Sequence, residues 1–516
     1  MTATDRLELD GYVVAERPTP GVPRPYEFPT LARAQLDNGL TILVADLPGR
    51  PLVSASVVLP IGAVDEPADE GGAAVLAGRA LTEGTERYDA VALIEASERL
   101  GASIHADAGW DASSVSVDVP TTRLRAALEL LAEVLLRPTF PPGEVERLRD
   151  ERLNDLLQAQ ADPRRRADEA FIDTIYAPES PYHRPSGGQR ETVERLDADV
   201  LRRVYARAVD PTRATLVVAG DLGGQDVTAM AGELLDGWAS PKSSSGDAKI
   251  VDAPAATDRR IRVVHRPGSV QTEIRIGHRG LPRRIPDFHA VSVMSAILGG
   301  LFNSRLNMQL REAKGYTYGA SAGFDMRRGA GPFSARAAVN TEVTVPAVID
   351  TLAELERMRD TNVEASELAA ARDFLVGVFP LRFETPGAVA AALSGLAIHG
   401  LPVEELLDYR RKIEAVTIDD VAAAAREHLE VERAAIVLVG DADAIGAALE
   451  AADLGKVAIE RDEAPHALGP MSAEPHVAVD KGEDTGPTAG AEEPDLPGTA
   501  DEPAAADTGA DDRQAP

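Results

Sequence analysis

Cysteine is missing from all 516 residues. That excludes disulfides, thiolate metal ligands and a cysteine nucleophile, and it fits a cytosolic protein. Long apolar runs are missing too. The longest, around residues 53–64 and 434–439, are strand-length, short of the ~20 residues a membrane span needs. The first residues, MTATDRLELDGYVV, lack a basic segment followed by an apolar one, so no signal peptide is expected. Base is scarce relative to acid: 53 Lys and Arg stand against 84 Asp and Glu, a formal charge of −31. Phosphate neutralisation needs a basic surface, which argues against nucleic acid as a partner and leaves basic or peptide partners open. Finally, no two of the nine histidines are spaced to share a helix face at i, i+4, the arrangement by which one helix offers two imidazoles to a metal.

What is present is a globular body. Apolar residues make up 44% of the chain, and the length exceeds what one hydrophobic core serves, so at least two domains are expected. Residues 1–27 are Pro-rich and read as an extended arm. Asp37-Asn38-Gly39 marks a hairpin turn between two strands. Alternation at 53–59, 103–108 and 113–119 marks further strands. Helical periods follow at 71–81, 88–100, 123–136, 142–161, 163–176, 197–208 and 223–235, with a strand at 214–219. Periodicity is lost across 240–259, which reads as a linker, and then restarts. Strands at 261–265, 272–277, 316–324, 331–339 and 434–440 are expected, with helices at 286–298, 304–312, 346–361, 365–379, 386–398, 402–416 and 418–428. From 456 to 516 there are fifteen acidic and four basic residues and few large apolar ones. Such a segment cannot bury enough surface to offset its chain entropy and is expected to be a disordered acidic tail.

The two halves repeat. Residues 101–111, GASIHADAGWD, match 315–325, GYTYGASAGFD, without a gap, and Gly220-Asp221 is answered by Gly440-Asp441. The expected architecture is α+β, with two homologous domains at 28–239 and 260–455. Each is a mostly antiparallel sheet faced by helices.

Residues 303–325, NSRLNMQLREAKGYTYGASAGFD, are the chemically suggestive stretch. A helix ending in Arg311 is broken by Gly315, and Tyr318 follows across the break. A guanidinium and a phenol can then point at one spot.

This stretch and two others resemble the pitrilysin/insulinase family of zinc peptidases, over roughly residues 30–450. Residues 71–85, GGAAVLAGRALTEGT, are similar to the family helix that carries an inverted zinc motif, His-x-x-Glu-His, before a Gly-Thr pair. Residues 146–163, ERLRDERLNDLLQAQADP, are similar to the segment that supplies a third zinc ligand. The resemblance implies a metallopeptidase fold of the LuxS/processing-peptidase-like type.

It also implies what this chain lacks. The five zinc-motif positions hold Val75, Leu76, Ala77, Gly78 and Arg79, and the third-ligand position holds Asp155. Catalytic zinc takes about three protein ligands with an open position, so no metal is expected here. Arg311 and Tyr318 stand where the family binds the substrate carbonyl. In two-chain members of the family, one chain brings zinc and the other brings this pair. The resemblance therefore implies a non-zinc subunit that pairs with a zinc-motif homologue, with Zn on that partner, and binds peptide substrates. Strand addition to the edge at 103–108 would engage Ser103, Ile104, His105 and Asp107. Gly299 and Gly300 would lend backbone freedom over a substrate. A scaffold protein and a peptide-binding module remain alternative expectations.

Overall fold

The computed structural model describes residues 8–9, 12–13, 26–240, 250 and 258–461. A two-residue ladder joins β1 (Glu8–Leu9) to β2 (Tyr12–Val13). The N-terminal half carries β3 (Leu31–Gln35), β4 (Thr41–Asp46), β5 (Leu52–Leu59), β6 (Ser103–Ala108), β7 (Ser113–Pro120) and β8 (Thr215–Gly220). Its helices are α1 (Ala73–Ala80), α2 (Ala90–Leu100), α3 (Leu124–Leu136), α4 (Pro142–Ala161), α5 (Pro163–Ile175), α6 (Arg190–Val193), α7 (Ala198–Ala208) and α8 (Val227–Leu235). The C-terminal half carries β9 (Arg260–His265), β10 (Gln271–Arg279), β11 (Ala320–Phe324), β12 (Pro332–Asn340), β13 (Ala435–Gly440) and β14 (Lys456–Arg461). Its helices are α9 (Phe288–Ser295), α10 (Thr344–Asp360), α11 (Ala365–Val378), α12 (Pro386–His399), α13 (Glu404–Leu407), α14 (Tyr409–Ala415), α15 (Ile418–His428) and α16 (Ala442–Ala451).

Local chemistry explains many boundaries. Gly39 takes φ of 93° in the β3–β4 turn, a conformation that favours glycine. Asn38 accepts the Leu40 N–H there. Pro142 and Pro163 occupy first-turn positions, where the missing N–H costs nothing. Asp162 caps α5 by accepting from the N–H groups of Arg164 and Arg165.

The two sheets are topological copies. One runs β3-β4-β8-β5-β7-β6 and the other, from its opposite end, β14-β9-β13-β10-β12-β11. In each, an inner parallel pair (β4 with β8, β9 with β13) adjoins antiparallel strands. The α+β class and the two-half architecture read from the sequence are both present. The outermost strands differ: β3 precedes β4 and is antiparallel to it, whereas β14 returns from the C-terminal side and is parallel to β9. This corrects the expected start of the tail at residue 456. Lys456–Arg461 pair along β9 because its edge would otherwise leave a row of peptide groups unpaired. The rest of the tail, most of the arm at 1–27 and most of the linker at 240–259 lie outside the described residues. The helix expected over 402–416 is divided into α13 and α14.

The halves exchange helices. One face of the N-terminal sheet is covered by its own α1 and α3, and the other by α12 of the C-terminal half. Reciprocally, α5 of the N-terminal half covers the C-terminal sheet, with Ala167, Ala170 and Phe171 against Val437 and Val439. On α12, Val389 and Leu393 are fully buried against Val217 and Ala219. Burying each such aliphatic side chain is worth about 1.5–3 kcal/mol, so separating the halves would forfeit several of these terms at once. Polar ties reinforce the exchange. The Tyr176 hydroxyl donates to the Ala330 carbonyl at 2.7 Å, and the Arg328 guanidinium meets the Asp65 carboxylate at 2.6 Å.

Candidate functional site

The α1 helix carries the positions where the resembled zinc motif would stand. Its N-terminus is fixed by Glu66, whose carboxylate accepts from the N–H groups of Gly72 at 3.0 Å and Ala74 at 2.6 Å and pairs with Arg184 at 3.0 Å. A negative group at a helix N-terminus complements its dipole. Burial nevertheless lifts the Glu66 carboxyl to about 7, against the pull of those donors. The folded group keeps its proton up to about pH 7, whereas an unfolded one loses it near 4.5. Stability therefore falls as pH rises through that interval. Denaturant unfolding at pH 5 and pH 7 is expected to show that loss in the wild type and a smaller one in Glu66→Gln. An identical pH dependence in the two would remove Glu66 as its source.

The three motif positions offer no metal-ligating atom. Val75 is aliphatic and Arg79 is cationic. At Gly78 there is no room for a side chain: a Cβ would stand 2.8 Å from the Ala108 nitrogen and 2.9 Å from the Asp107 carbonyl carbon of β6. Arg79 instead donates to Glu151 of α4 at 2.8 Å. Hydrogen bonding to Arg79 and Arg147 holds the Glu151 carboxyl below its usual range. Asp155, at the third-ligand position, is bonded to Arg165 at 2.8 Å and to Arg152. The Arg165 hydrogen bond is the chief cause of its lowered pKa. Thus α1 and α4, which the resembled metal site would link through zinc, are linked here by an ion pair. These residues do not fit zinc.

Among the described residues, two other groups bring a histidine near carboxylates: His265 with Asp441 and Asp443, and His428 with Asp287 and Glu427. In each, the histidine already has a hydrogen-bond partner. His265 Nδ1 accepts the Ala442 N–H, and Asp441 caps α16. His428 Nε2 is bonded to Asp287 at 2.7 Å.

Arg311 and Tyr318 lie at the opposite sheet's edge. After α9, two short π-helical segments, Ala296–Gly300 and Asn307–Ala313, lead into β11. Such widened turns are rare and are frequent at functional sites. Gly315 takes φ of 64° and ends the second segment, with its N–H bonded to the Arg311 carbonyl. Arg311 lies with its guanidinium 4.4 Å over the Phe302 ring and 3.6 Å from the Glu312 carboxylate. Phe302 is 72% exposed and Tyr318 96% exposed. A phenol so exposed contributes nothing to the core, and no described contact explains it.

The frame beneath is rigid. Arg305 forms a two-pronged pair with Glu367 at 2.7 and 2.8 Å. Asn307 donates to the Leu301 carbonyl and accepts the Ala320 N–H at 2.8 Å, tying the Phe302 loop to the start of β11. The sequence signal for Asn307 was only its place inside the suggestive stretch, and Phe302 stands just before that stretch. The strand expected from residue 316 begins at Ala320, because Thr317 and Gly319 close a local turn first.

Gly299 corrects an expectation. It sits in the last turn of the first π segment, where a Cβ would come within 2.1 Å of the Ala322 nitrogen. Close packing, not backbone freedom, requires glycine there, and Gly300 ends the same segment. Gly78 on Ala108 and Gly299 on Ala322 are equivalent contacts, since the repeat read from the sequence pairs Ala108 with Ala322.

β6 is an edge strand, as is β11. Ser103, His105 and Asp107 are exposed on one face of β6, whereas Ile104 turns inward against the core. Ile104 occupies the N-terminal counterpart of the Tyr318 position, so only one half carries the phenol.

Comparison with known proteins bears on the family and the fold. Residues 41–181 match the family model described as insulinase, peptidase family M16, and residues 195–375 match the peptidase M16 inactive domain. Together the two matches span more than half of the chain. An uncharacterised zinc protease of Mycobacterium tuberculosis is 25% identical over 411 residues, covering 79% of this chain and 92% of that protein. A non-peptidase homologue of Helicobacter pylori is 21% identical over 382 residues, covering 72% and 84%. Among solved structures, a peptidase M16 inactive domain from Pseudomonas fluorescens superposes with a TM-score of 0.73 at 26% identity, covering 80% of this chain and 98% of that one. A protease from Helicobacter pylori shares the fold with the same TM-score at 18% identity, covering 80% and 100%.

Proposed function

Because the chain belongs to the insulinase family of peptidases, peptidase family M16, we propose that it is the non-zinc subunit of a two-chain metallopeptidase. The single observation that carries this reading is the contrast between its two edges. The α1–β6 edge has no zinc ligand and, at Gly78, no room for the motif's glutamate, whereas the π-segment–β11 edge carries a partly exposed Arg311 and an exposed Tyr318. In this proposal a partner chain with an intact His-x-x-Glu-His motif would hold Zn, which would supply an activated water. This chain binds the peptide and supplies two donors for the scissile carbonyl.

The chemistry follows from the side chains. As water attacks, the carbonyl oxygen gains negative charge. A guanidinium cannot lose its proton, and a phenol donates from a rigid ring. Donors held in place for a charge that develops only in the transition state lower the barrier without tightening ground-state binding. The Phe302 ring beneath Arg311 steadies the guanidinium without occupying its N–H donors. The β6 edge, with Ser103, His105 and Asp107 beside it, offers unpaired backbone groups for an extended peptide. A cytoplasmic location belongs to the same proposal, and among the described residues no helix is long and apolar enough to cross a membrane.

Purification of the full chain from its native host tests the pairing. A homologue carrying His-x-x-Glu-His is expected to co-elute at one copy per chain. Elution without such a homologue would contradict the proposal. A second reading, a scaffold without catalytic part, is favoured by the similarity to a non-peptidase homologue. Under it, changing Arg311 or Tyr318 leaves every measurable activity of the complex untouched.

A further inference from the structure

The internal repeat exposes a difference beneath the exchanged helices. Aligning the sheets on Gly220-Asp221 and Gly440-Asp441 places Val217 of β8 on Val437 of β13. The partner of Val437 in β10 is Arg275, and Arg275 lies beside Arg336 of β12. Arg275 is 2% exposed and is held by Asp168 of α5 at 2.7 Å and by Glu273 at 2.9 Å. In the C-terminal half, then, arginine fills the space between sheet and exchanged helix, with carboxylates around it.

In the N-terminal half the partner of Val217 is Ser56, and Ser56 lies beside Ser116. Serine thus replaces both arginines. What remains is a cleft of about 590 Å³ between the sheet and α12, lined by both serines and by Asp107, Asp111, Asp118 and His399. The counterpart of Glu273 is Ser54, and Arg327, which also lines the cleft, is already paired with Asp325. Among the described residues, Asp107 and Asp118 have no ion pair. Asp111 is only 9% exposed. One of its oxygens accepts the Arg328 N–H at 2.9 Å. The other, Oδ1, is 3.6 Å from Arg328 Nε and has no hydrogen-bond donor. His399 Nδ1 is likewise buried without a partner.

We propose that this cleft binds a guanidinium group from outside the chain, in the place that Arg275 fills in the other half. A guanidinium presents five N–H donors, enough to serve serine hydroxyls and a neighbouring carboxylate together. An anion would meet the same carboxylates unfavourably. The group is either a free small guanidine or the side chain of an arginine in a peptide. The site uses neither Arg311 nor Tyr318 and needs no partner chain.

Calorimetric titration of the full chain at physiological salt tests it, with agmatine as one probe and a capped Ala-Ala-Arg-Ala-Ala peptide as the other. A citrulline version of the peptide is the control. One saturable site is expected for agmatine, for the arginine peptide or for both, and none for citrulline. The pattern identifies the source: agmatine alone points to a free guanidine, the peptide alone to a side chain. Asp107→Asn with Asp118→Asn is expected to weaken binding about tenfold or more, the scale of a lost charge-assisted hydrogen bond. Ser56→Arg, which recreates the other half's filling, is expected to abolish binding while the chain stays folded by circular dichroism. If that variant does not fold, the Asp→Asn pair decides alone. Absence of saturable binding, or binding unchanged by the Asp→Asn pair, would overturn the proposal, the latter as diffuse attraction to an acidic protein.

Discussion

Replacing Arg311 by alanine in the reconstituted two-chain complex is expected to lower kcat about 10²–10³-fold, the scale seen when one preorganised oxyanion donor is removed. The complex itself should stay assembled. Arg311 is partly exposed and its contacts are Phe302 and Glu312, so the fold loses little; surface changes of this kind usually fall within ±0.5 kcal/mol. KM should move much less than kcat, because the guanidinium meets its full charge only in the transition state. Tyr318→Phe removes one neutral donor and is expected to cost about tenfold. Phe302→Ala leaves Arg311 present but unsupported, and its loss in kcat should fall below that of Arg311→Ala. Steady-state kinetics on complexes of confirmed stoichiometry separate these outcomes. Full turnover in the Arg311 and Tyr318 variants would leave the shared-site reading without support.

The second large effect is on stability. Gly299→Ala is expected to destabilise the chain by about 3 kcal/mol or more, and Gly78→Ala by about 1–3 kcal/mol, the range for overpacking. The difference follows from geometry. A Cβ at 299 would stand 2.1 Å from a backbone nitrogen of β11, whereas at 78 the nearest backbone atom of β6 is 2.8 Å away. Neither neighbour is a side-chain end that can swing aside; each strand would have to shift. The same contact bears on the lost motif. Val75→His, Gly78→Glu and Arg79→His together restore its letters but force a long side chain against β6 and break the Arg79–Glu151 pair. Denaturant midpoints should fall in the order wild type, Gly78→Ala, Gly299→Ala. A triple variant as stable as wild type would show that the α1–β6 contact is looser than its geometry implies.

Much of the fold was legible because periodicity and punctuation agreed. Residues 142–161 and 103–108 appear as α4 and β6 with the bounds expected. The repeat of 101–111 in 315–325 pointed to the duplicated sheet. Other features had no local signature. The helix exchange depends on which sheet α5 and α12 reach, and their own periods do not encode that. The π segments obey the same apolar spacing as ordinary helix, so the expected helix over 304–312 hid its widened turns. Gly299 looked like a hinge because a glycine's freedom and a glycine's lack of Cβ leave one letter in the sequence. Lys456–Arg461 looked like the start of the tail because a six-residue edge strand needs only Val457 and Ile459 in alternation, in a run where polar residues take over. Of the candidate site, Arg311 and Tyr318 were singled out by their spacing and by the resemblance. Phe302 as the support of Arg311, and the serine-lined cleft opposite Arg275, needed coordinates.

The central claim is that this chain carries the carbonyl-binding half of a site and not its metal. Zinc content and peptide hydrolysis, measured on the isolated chain, on a zinc-motif partner and on their equimolar mixture, test it most directly. The account predicts no stoichiometric zinc and no hydrolysis in the isolated chain, one zinc per pair in the mixture, and hydrolysis there that Arg311→Ala suppresses. Stoichiometric zinc and peptide cleavage by the isolated chain would contradict it.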